Sequence, residues 1–180
     1  MLPFGLADRI RAAAVQRGEF TLRCGDTLDE YFDEYGLAAD PVLLRDVAQA
    51  LARMLPRRTD SVVAMALGGV PFAVAVSAIS GIRTNFFRPA PKAYGTRRQI
   101  EGQSVDGTRV VVIDDVVRSG TQVLRATDRL QDAGATVVAA LCVLDRELGG
   151  RERLAQCGIE LHALLTPATL YALDSKRTAS

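Results

Sequence analysis

Apolar residues gather into short, dense runs separated by turns that carry glycine or proline, and helix-spaced and strand-like runs alternate along the chain. Asp40-Pro41 opens a stretch in which Val42, Leu43, Val47, Leu51, Met54 and Leu55 recur at helical spacing before Pro56. An aspartate N-cap followed by proline at the first helical position predicts the helix start there. From Ser61 to Ile82 no residue is charged, a length that suffices to cross a bilayer. Gly68-Gly69 and Pro71 cut this stretch in the middle, and it is built mostly of Val and Ala. The pattern therefore predicts a buried strand over 61–67 and a buried helix over 71–80, not a membrane span.

The same grammar continues. A strand is expected near Ile82 to Phe87 and another over 109–113. A helix follows through Gln122-Val123-Leu124-Arg125-Ala126-Thr127 and closes at Gly134. Thr136 to Leu144 reads as a buried strand, Arg151 to Gln156 as a short helix, and Ile159 to Leu165 as a last strand. Nearly all-apolar strands alternating with helices argue for an α/β fold with a mainly parallel, twisted sheet covered on both faces. Ligands of such sheets lie beyond the C-terminal strand ends.

One of those ends concentrates the chemistry. Val110-Val111-Val112-Ile113 runs into Asp114-Asp115, then Val116-Val117-Arg118-Ser119-Gly120-Thr121 leads to a helix. Paired carboxylates accept hydrogen bonds from vicinal sugar hydroxyls, while small residues at a helix N-terminus expose amides that hold a phosphate. A phosphorylated sugar satisfies both devices.

Composition narrows the class. The 180 residues are 48% hydrophobic and 24% charged with a net charge of +1, which predicts one globular domain over 1–180 with a sizeable core. Near-neutral charge offers no broad electrostatic footprint for nucleic acid or an anionic membrane. Cys24, Cys142 and Cys157 show no CxxC spacing, and Met1-Leu2-Pro3-Phe4-Gly5 lacks a basic start before an apolar run. Reduced thiols and a cytoplasmic location are the expectation. Cys142 falls in an apolar strand and reads as core. His162 is the sole histidine, so a histidine metal cluster is excluded.

Three further stretches fall at the same strand ends. Leu67-Gly68-Gly69-Val70-Pro71 is either a tight connection or a loop whose amides wrap pyrophosphate oxygens. Arg88 to Gln103 is proline-bracketed and carries Arg88, Lys92, Arg97 and Arg98; it reads as a lid over a polyanion or as a solvated basic loop. Asp145-Arg146-Glu147-Leu148-Gly149-Gly150-Arg151 places an arginine where it grips a planar carboxylate or simply pairs with Asp145 or Glu147.

These residues resemble a known family. The segment around Asp114-Asp115 is similar to the phosphoribosyl pyrophosphate (PRPP) signature of type I phosphoribosyltransferases. From about Glu19 to Thr166 the chain resembles the orotate phosphoribosyltransferases. Phe20-Thr21-Leu22-Arg23-Cys24-Gly25 with Tyr31-Phe32-Asp33 looks like their N-terminal hood, about 19–36 here. Leu67-Gly68-Gly69-Val70-Pro71 looks like their pyrophosphate loop. Arg88…Lys92-Ala93-Tyr94-Gly95-Thr96 through Ile100-Glu101-Gly102 looks like their mobile catalytic loop, about 88–104. Asp145-Arg146 with Gly149-Gly150-Arg151 resembles their base-binding strand end.

The resemblance implies the type I phosphoribosyltransferase fold and Mg²⁺-dependent transfer of ribose 5-phosphate from PRPP to orotate. It implies Lys92 and Asp115 as catalytic residues. PRPP contacts would come from Arg88, Lys92, Tyr94, Asp114, Asp115, Val116, Val117, Arg118, Ser119, Gly120, Thr121 and Gln122, with Leu67, Gly68 and Gly69 at the pyrophosphate. Arg146, Arg118 and Arg23 would meet orotate. Mg²⁺ would be carried by PRPP without direct protein ligands, and the loop would serve the partner's site in a homodimer.

The chain departs from the pattern at three places. Pro89 replaces a lysine after Arg88, and Pro91 adds stiffness to the loop. Arg118 stands where the family has a small threonine. Asp26, Leu28, Asp29 and Glu30 occupy hood positions where basic and small residues are usual. Besides the orotate enzyme, these departures leave open a paralogue using another aromatic base and a PRPP-binding regulatory protein with decayed catalysis. The stretch of about twenty residues before the hood is too short for a helix-turn-helix domain.

Overall fold

The structure, a computed structural model, describes residues 3–21, 27–90 and 98–172, with Leu28 described by its backbone alone. The chain opens with α1 (Leu6–Ala14), then β1 (Val15–Thr21) and β2 (Thr27–Phe32), α2 (Glu34–Ala39) and α3 (Pro41–Ala52). Asp40 caps α3 by accepting from the amides of Val42 and Leu43, with Pro41 behind it, as the sequence predicts. The chain continues with β3 (Ser61–Met65), α4 (Val70–Ser80), β4 (Arg83–Phe87) and the two-residue β5 (Ile100–Glu101). Then come β6 (Arg109–Val117), α5 (Thr121–Asp132), β7 (Thr136–Asp145), α6 (Gly150–Gln156), β8 (Glu160–Leu165) and α7 (Pro167–Tyr171).

The main sheet has the order β5-β4-β3-β6-β7-β8. Its five longer strands are parallel and β5 adds antiparallel to β4. The alternation of side chains along a strand divides the core into two layers. Val62, Ala64, Val111, Ile113 and Leu141 pack with Leu37, Val47, Leu51, Phe72 and Val76 of α2, α3 and α4. Val63, Val110, Val112, Ala140 and Cys142 pack with Val123, Leu130 and Leu154 of α5 and α6. Both faces are covered, so nearly every residue of β3 and β7 is buried. The uncharged stretch divides into β3 and α4, and among the described residues no helix is long and apolar enough to cross a membrane.

Two boundaries differ from the sequence reading in ways that matter to the site. β6 does not stop before the aspartates. It carries them and runs on to Val117, because Val116 pairs with Leu144 and Val117 with Asp145 of β7. The stretch expected as strand to residue 67 ends at Met65, where the peptide turns: the Gly69 amide donates to the Met65 carbonyl at 3.0 Å. Outside the main sheet, β1 and β2 form an antiparallel pair, and the rings of Phe20 and Tyr31 lie 5.6 Å apart.

Candidate active site

The C-terminal end of β6 carries Asp114 and Asp115, and the chain then turns through Ser119 and Gly120 into α5. Gly120 has φ 72° and caps α5 without a side-chain hydrogen bond. Helix-starting amides that no side chain satisfies form a ready anion site. Ser119 Oγ and Thr121 Oγ1 lie 3.0 Å apart, adding hydroxyls to the amides. Arg153 of α6 donates to the Ser119 carbonyl at 2.9 Å and to Thr121 Oγ1 at 3.0 Å. Its cation stands behind the turn. A cavity of about 230 Å³ lies here, lined by Asp114, Val116, Val117, Arg118, Ser119, Gly120, Thr121, Gln122 and Val123.

The second loop comes from the neighbouring strand. Beyond β3, the Ala66–Leu67 peptide is cis, and Leu67 is exposed. A Cβ on Gly68 would stand 2.5 Å from the Asp115 carboxylate, and one on Gly69 2.4 Å from the Ile113 carbonyl. Only glycines let this loop press so closely against β6. The arrangement places backbone amides and a carboxylate side by side.

Asp114 sits in a setting that disfavours its anion. Burial, then the charge of Asp115, pushes the Asp114 carboxyl well above the ordinary range, since both effects penalise its anion. The Asp115 amide donates to Asp114 Oδ1 at 3.1 Å. Glu34, at the start of α2, is also raised, first by burial and then, among neighbouring charges, mainly by Asp115. A cavity of about 150 Å³ joins Glu34 and Asp115 to Tyr31, Arg118 and Arg146. Glu34 and Asp115 on the wall of this cavity favour a ligand that donates hydrogen bonds.

A wider cleft of about 580 Å³ opens beside it, lined by Arg17, Asp29, Glu30, Arg118, Arg146, Leu148, Pro167 and Tyr171. The Arg146 amide donates to the Val117 carbonyl at 2.8 Å, which ties the β7 end to the β6 end. The Arg146 side chain does not take the local partners that adjacency suggests. Asp145 is fully buried and holds Arg151 at 3.0 Å, whereas Arg146 Nη1 faces Glu30 of β2 at 3.5 Å. Tyr171 of α7 donates to the same Glu30 oxygen. Glu30 therefore faces the cleft and its charge is compensated there; it does not point to solvent.

The structure thus gathers Leu67, Gly68, Gly69, Asp114, Asp115, Val116, Val117, Arg118, Ser119, Gly120, Thr121, Gln122 and Arg146 at adjoining strand ends. Arg118 lines all three cavities, between the phosphate-like turn and the wide cleft. Arg88 sits at the foot of the basic loop, where its amide donates to the Gln99 carbonyl at 2.9 Å. Arg23, Lys92 and Tyr94 lie outside the described residues. Sequence reasoning missed Glu34, Arg153 and Tyr171. Each comes from a distant element, and no local motif marks it.

The Phosphoribosyl transferase domain family matches residues 40–157. The chain is 45% identical over 166 residues to the orotate phosphoribosyltransferase of Halobacterium salinarum, covering 92% of this chain and 94% of that one. It is 42% identical to that of a Nocardioides species, covering 93% of each. Among solved structures, the orotate phosphoribosyltransferase of Mycobacterium tuberculosis superposes with a TM-score of 0.82 at 30% identity, covering 92% of this chain and 96% of that one.

Proposed function

The chain belongs to the orotate phosphoribosyltransferase family, and on that premise we propose how its residues divide the work of the family reaction. That reaction transfers the ribose 5-phosphate of PRPP to orotate, giving orotidine 5′-monophosphate and pyrophosphate, a step of pyrimidine nucleotide synthesis.

The 5′-phosphate belongs at the turn of Ser119, Gly120 and Thr121, where free amides of α5 and two hydroxyls converge. Asp114 and Asp115, at the end of β6 leading into that turn, take the ribose hydroxyls, Asp115 nearer the anomeric carbon. The loop of Leu67, Gly68 and Gly69 receives the pyrophosphate beside Asp115, with the Gly69 amide held by the Met65 carbonyl and the donors coming from Leu67 and Gly68. Orotate enters the wide cleft, where Arg146 and Arg118 meet its carboxylate and carbonyl edge. Displacement at the anomeric carbon passes through an oxocarbenium-like state, so the main task is stabilising the departing anion. Lys92, Arg88 and Tyr94 are assigned to that anion. The observation that carries this reading is the acidic doublet lying between an uncapped helix start and a glycine loop pressed onto Asp115.

Mg²⁺ is the ion the family chemistry calls for, and among the described residues no group of three or more His, Cys, Asp or Glu side chains is placed to hold it. Magnesium usually keeps waters and binds through one or two carboxylates plus substrate phosphates, so the donor set fits an ion that arrives with PRPP. When bound it neutralises pyrophosphate charge. A homodimer whose basic loops reach the neighbouring site, in the cytoplasm, completes the proposal.

The test is Mg²⁺-dependent pyrophosphate release with orotate. Formation of orotidine 5′-monophosphate supports the reading. Turnover with a different base but not orotate would transfer it to a paralogue, and PRPP binding without any turnover would favour a regulator.

A further inference from the structure

Arg146 reaches the wide cleft on a long, flexible stem, and its placement is set by two residues from opposite ends of the chain. Glu30 lies on β2 and Tyr171 on α7, 141 positions apart. Glu30 Oε1 receives the Tyr171 hydroxyl and faces Arg146 Nη1 at 3.5 Å. The Glu30 and Arg146 side chains are only 23% and 21% exposed. All three line one cleft with Leu148 and Pro167, whose apolar surfaces suit the face of a flat ring.

We infer that Glu30 and Tyr171 are positioning residues for the acceptor base: together they hold the Arg146 guanidinium toward the acceptor's edge. The Glu30 contact at 3.5 Å and the Tyr171 hydroxyl beside it do not fill a fork with five N–H donors. They fix direction and leave the fork able to grip a planar ligand. Tyr171 in turn fixes the carboxylate. Burial, then Glu30, pushes its phenol up to about 12, so it stays a donor throughout the working pH range. The brace also ties the β1–β2 pair to the C-terminal helix across the cleft.

The inference rests on Arg146 meeting the acceptor, as proposed above, and the experiment separates the two. Steady-state kinetics are measured for the full chain and for Glu30→Gln, Tyr171→Phe, Arg146→Ala and the Glu30→Gln/Arg146→Ala pair, varying orotate and PRPP separately, with Tm recorded for each. Arg146→Ala raising KM for orotate supports the underlying assignment; no change would remove that assignment and the brace with it. With the assignment intact, Glu30→Gln and Tyr171→Phe are expected to raise KM for orotate about tenfold, with KM for PRPP within about twofold. Glu30→Gln adds nothing once Arg146 is gone, because residues acting through one group are not additive. A fall in KM for orotate would make Glu30 a competitor of the substrate carboxylate and overturn the inference. So would equal losses for both substrates, or an additive effect in the Arg146→Ala background. If Glu30→Gln does not fold, Tyr171→Phe alone decides by the same split.

Discussion

The backbone of Gly68 lies directly against the carboxylate of Asp115: a Cβ built on the glycine would stand 2.5 Å from it. Asp is too short to move its carboxylate aside without leaving the strand end where it is needed. Gly68→Ala is therefore expected to raise KM for PRPP by at least about tenfold, with a smaller change for orotate. Steady-state kinetics with each substrate varied will show this. Unchanged PRPP kinetics would mean that the contact has no part in binding.

Asp114 carries a conflict between stability and binding. Its carboxyl is raised by burial and by Asp115, so the folded chain favours the protonated form. That contribution to stability is full below the ordinary aspartate value of 3.8 and is lost as pH rises through the elevated folded value. Asp114→Asn is expected to raise Tm at neutral pH in the absence of ligand and to flatten the fall of Tm with rising pH, while weakening PRPP binding. Thermal unfolding across pH 4 to about 8 checks the sign. A lower Tm at neutral pH would contradict it.

Much of this site was legible in the sequence because its devices are local. Gly68-Gly69-Val70-Pro71 marks the break between β3 and α4, and Asp114-Asp115 followed by Ser119-Gly120-Thr121 marks, within a dozen residues, a strand end bearing two carboxylates and the start of α5. The apolar β3, β6 and β7 announce a parallel sheet because both faces are covered. What stayed hidden depends on tertiary pairing. β1 is mostly exposed, so it carries no burial period to read. β6 runs through the aspartates only because β7 continues beside it. Arg146 finds its partner 116 residues away, and sequence adjacency pointed instead to Asp145 or Glu147.

Asp145 gives a purely structural prediction. It is fully buried, accepts from Arg151 Nε at 3.1 Å and Nη2 at 3.0 Å, and receives the Glu147 amide at 2.9 Å. Arg151 also donates to the Leu161 carbonyl at 2.6 Å. Arg151→Ala strands a buried carboxylate and is expected to cost about 3 kcal/mol. That is the low end for one side of a buried pair, since the Arg151 side chain is 45% exposed. Denaturant unfolding measures it, and a loss under about 1 kcal/mol would show that the pair behaves as a surface one.

Lys92 is assigned to the departing pyrophosphate, where its charge matters most at the transition state. Lys92→Ala is expected to lower kcat by about a hundredfold or more while leaving the Kd for PRPP within a few-fold. Single-turnover rates and a PRPP binding titration separate the two quantities. Equal losses in both would assign Lys92 to ground-state binding.

The most direct test of the central claim is a crystal structure of the chain with PRPP and Mg²⁺. The 5′-phosphate is expected on the amides of Ser119, Gly120 and Thr121, with the ribose hydroxyls on Asp114 and Asp115. PRPP bound elsewhere, or the Arg118 guanidinium filling that pocket in its place, would contradict it.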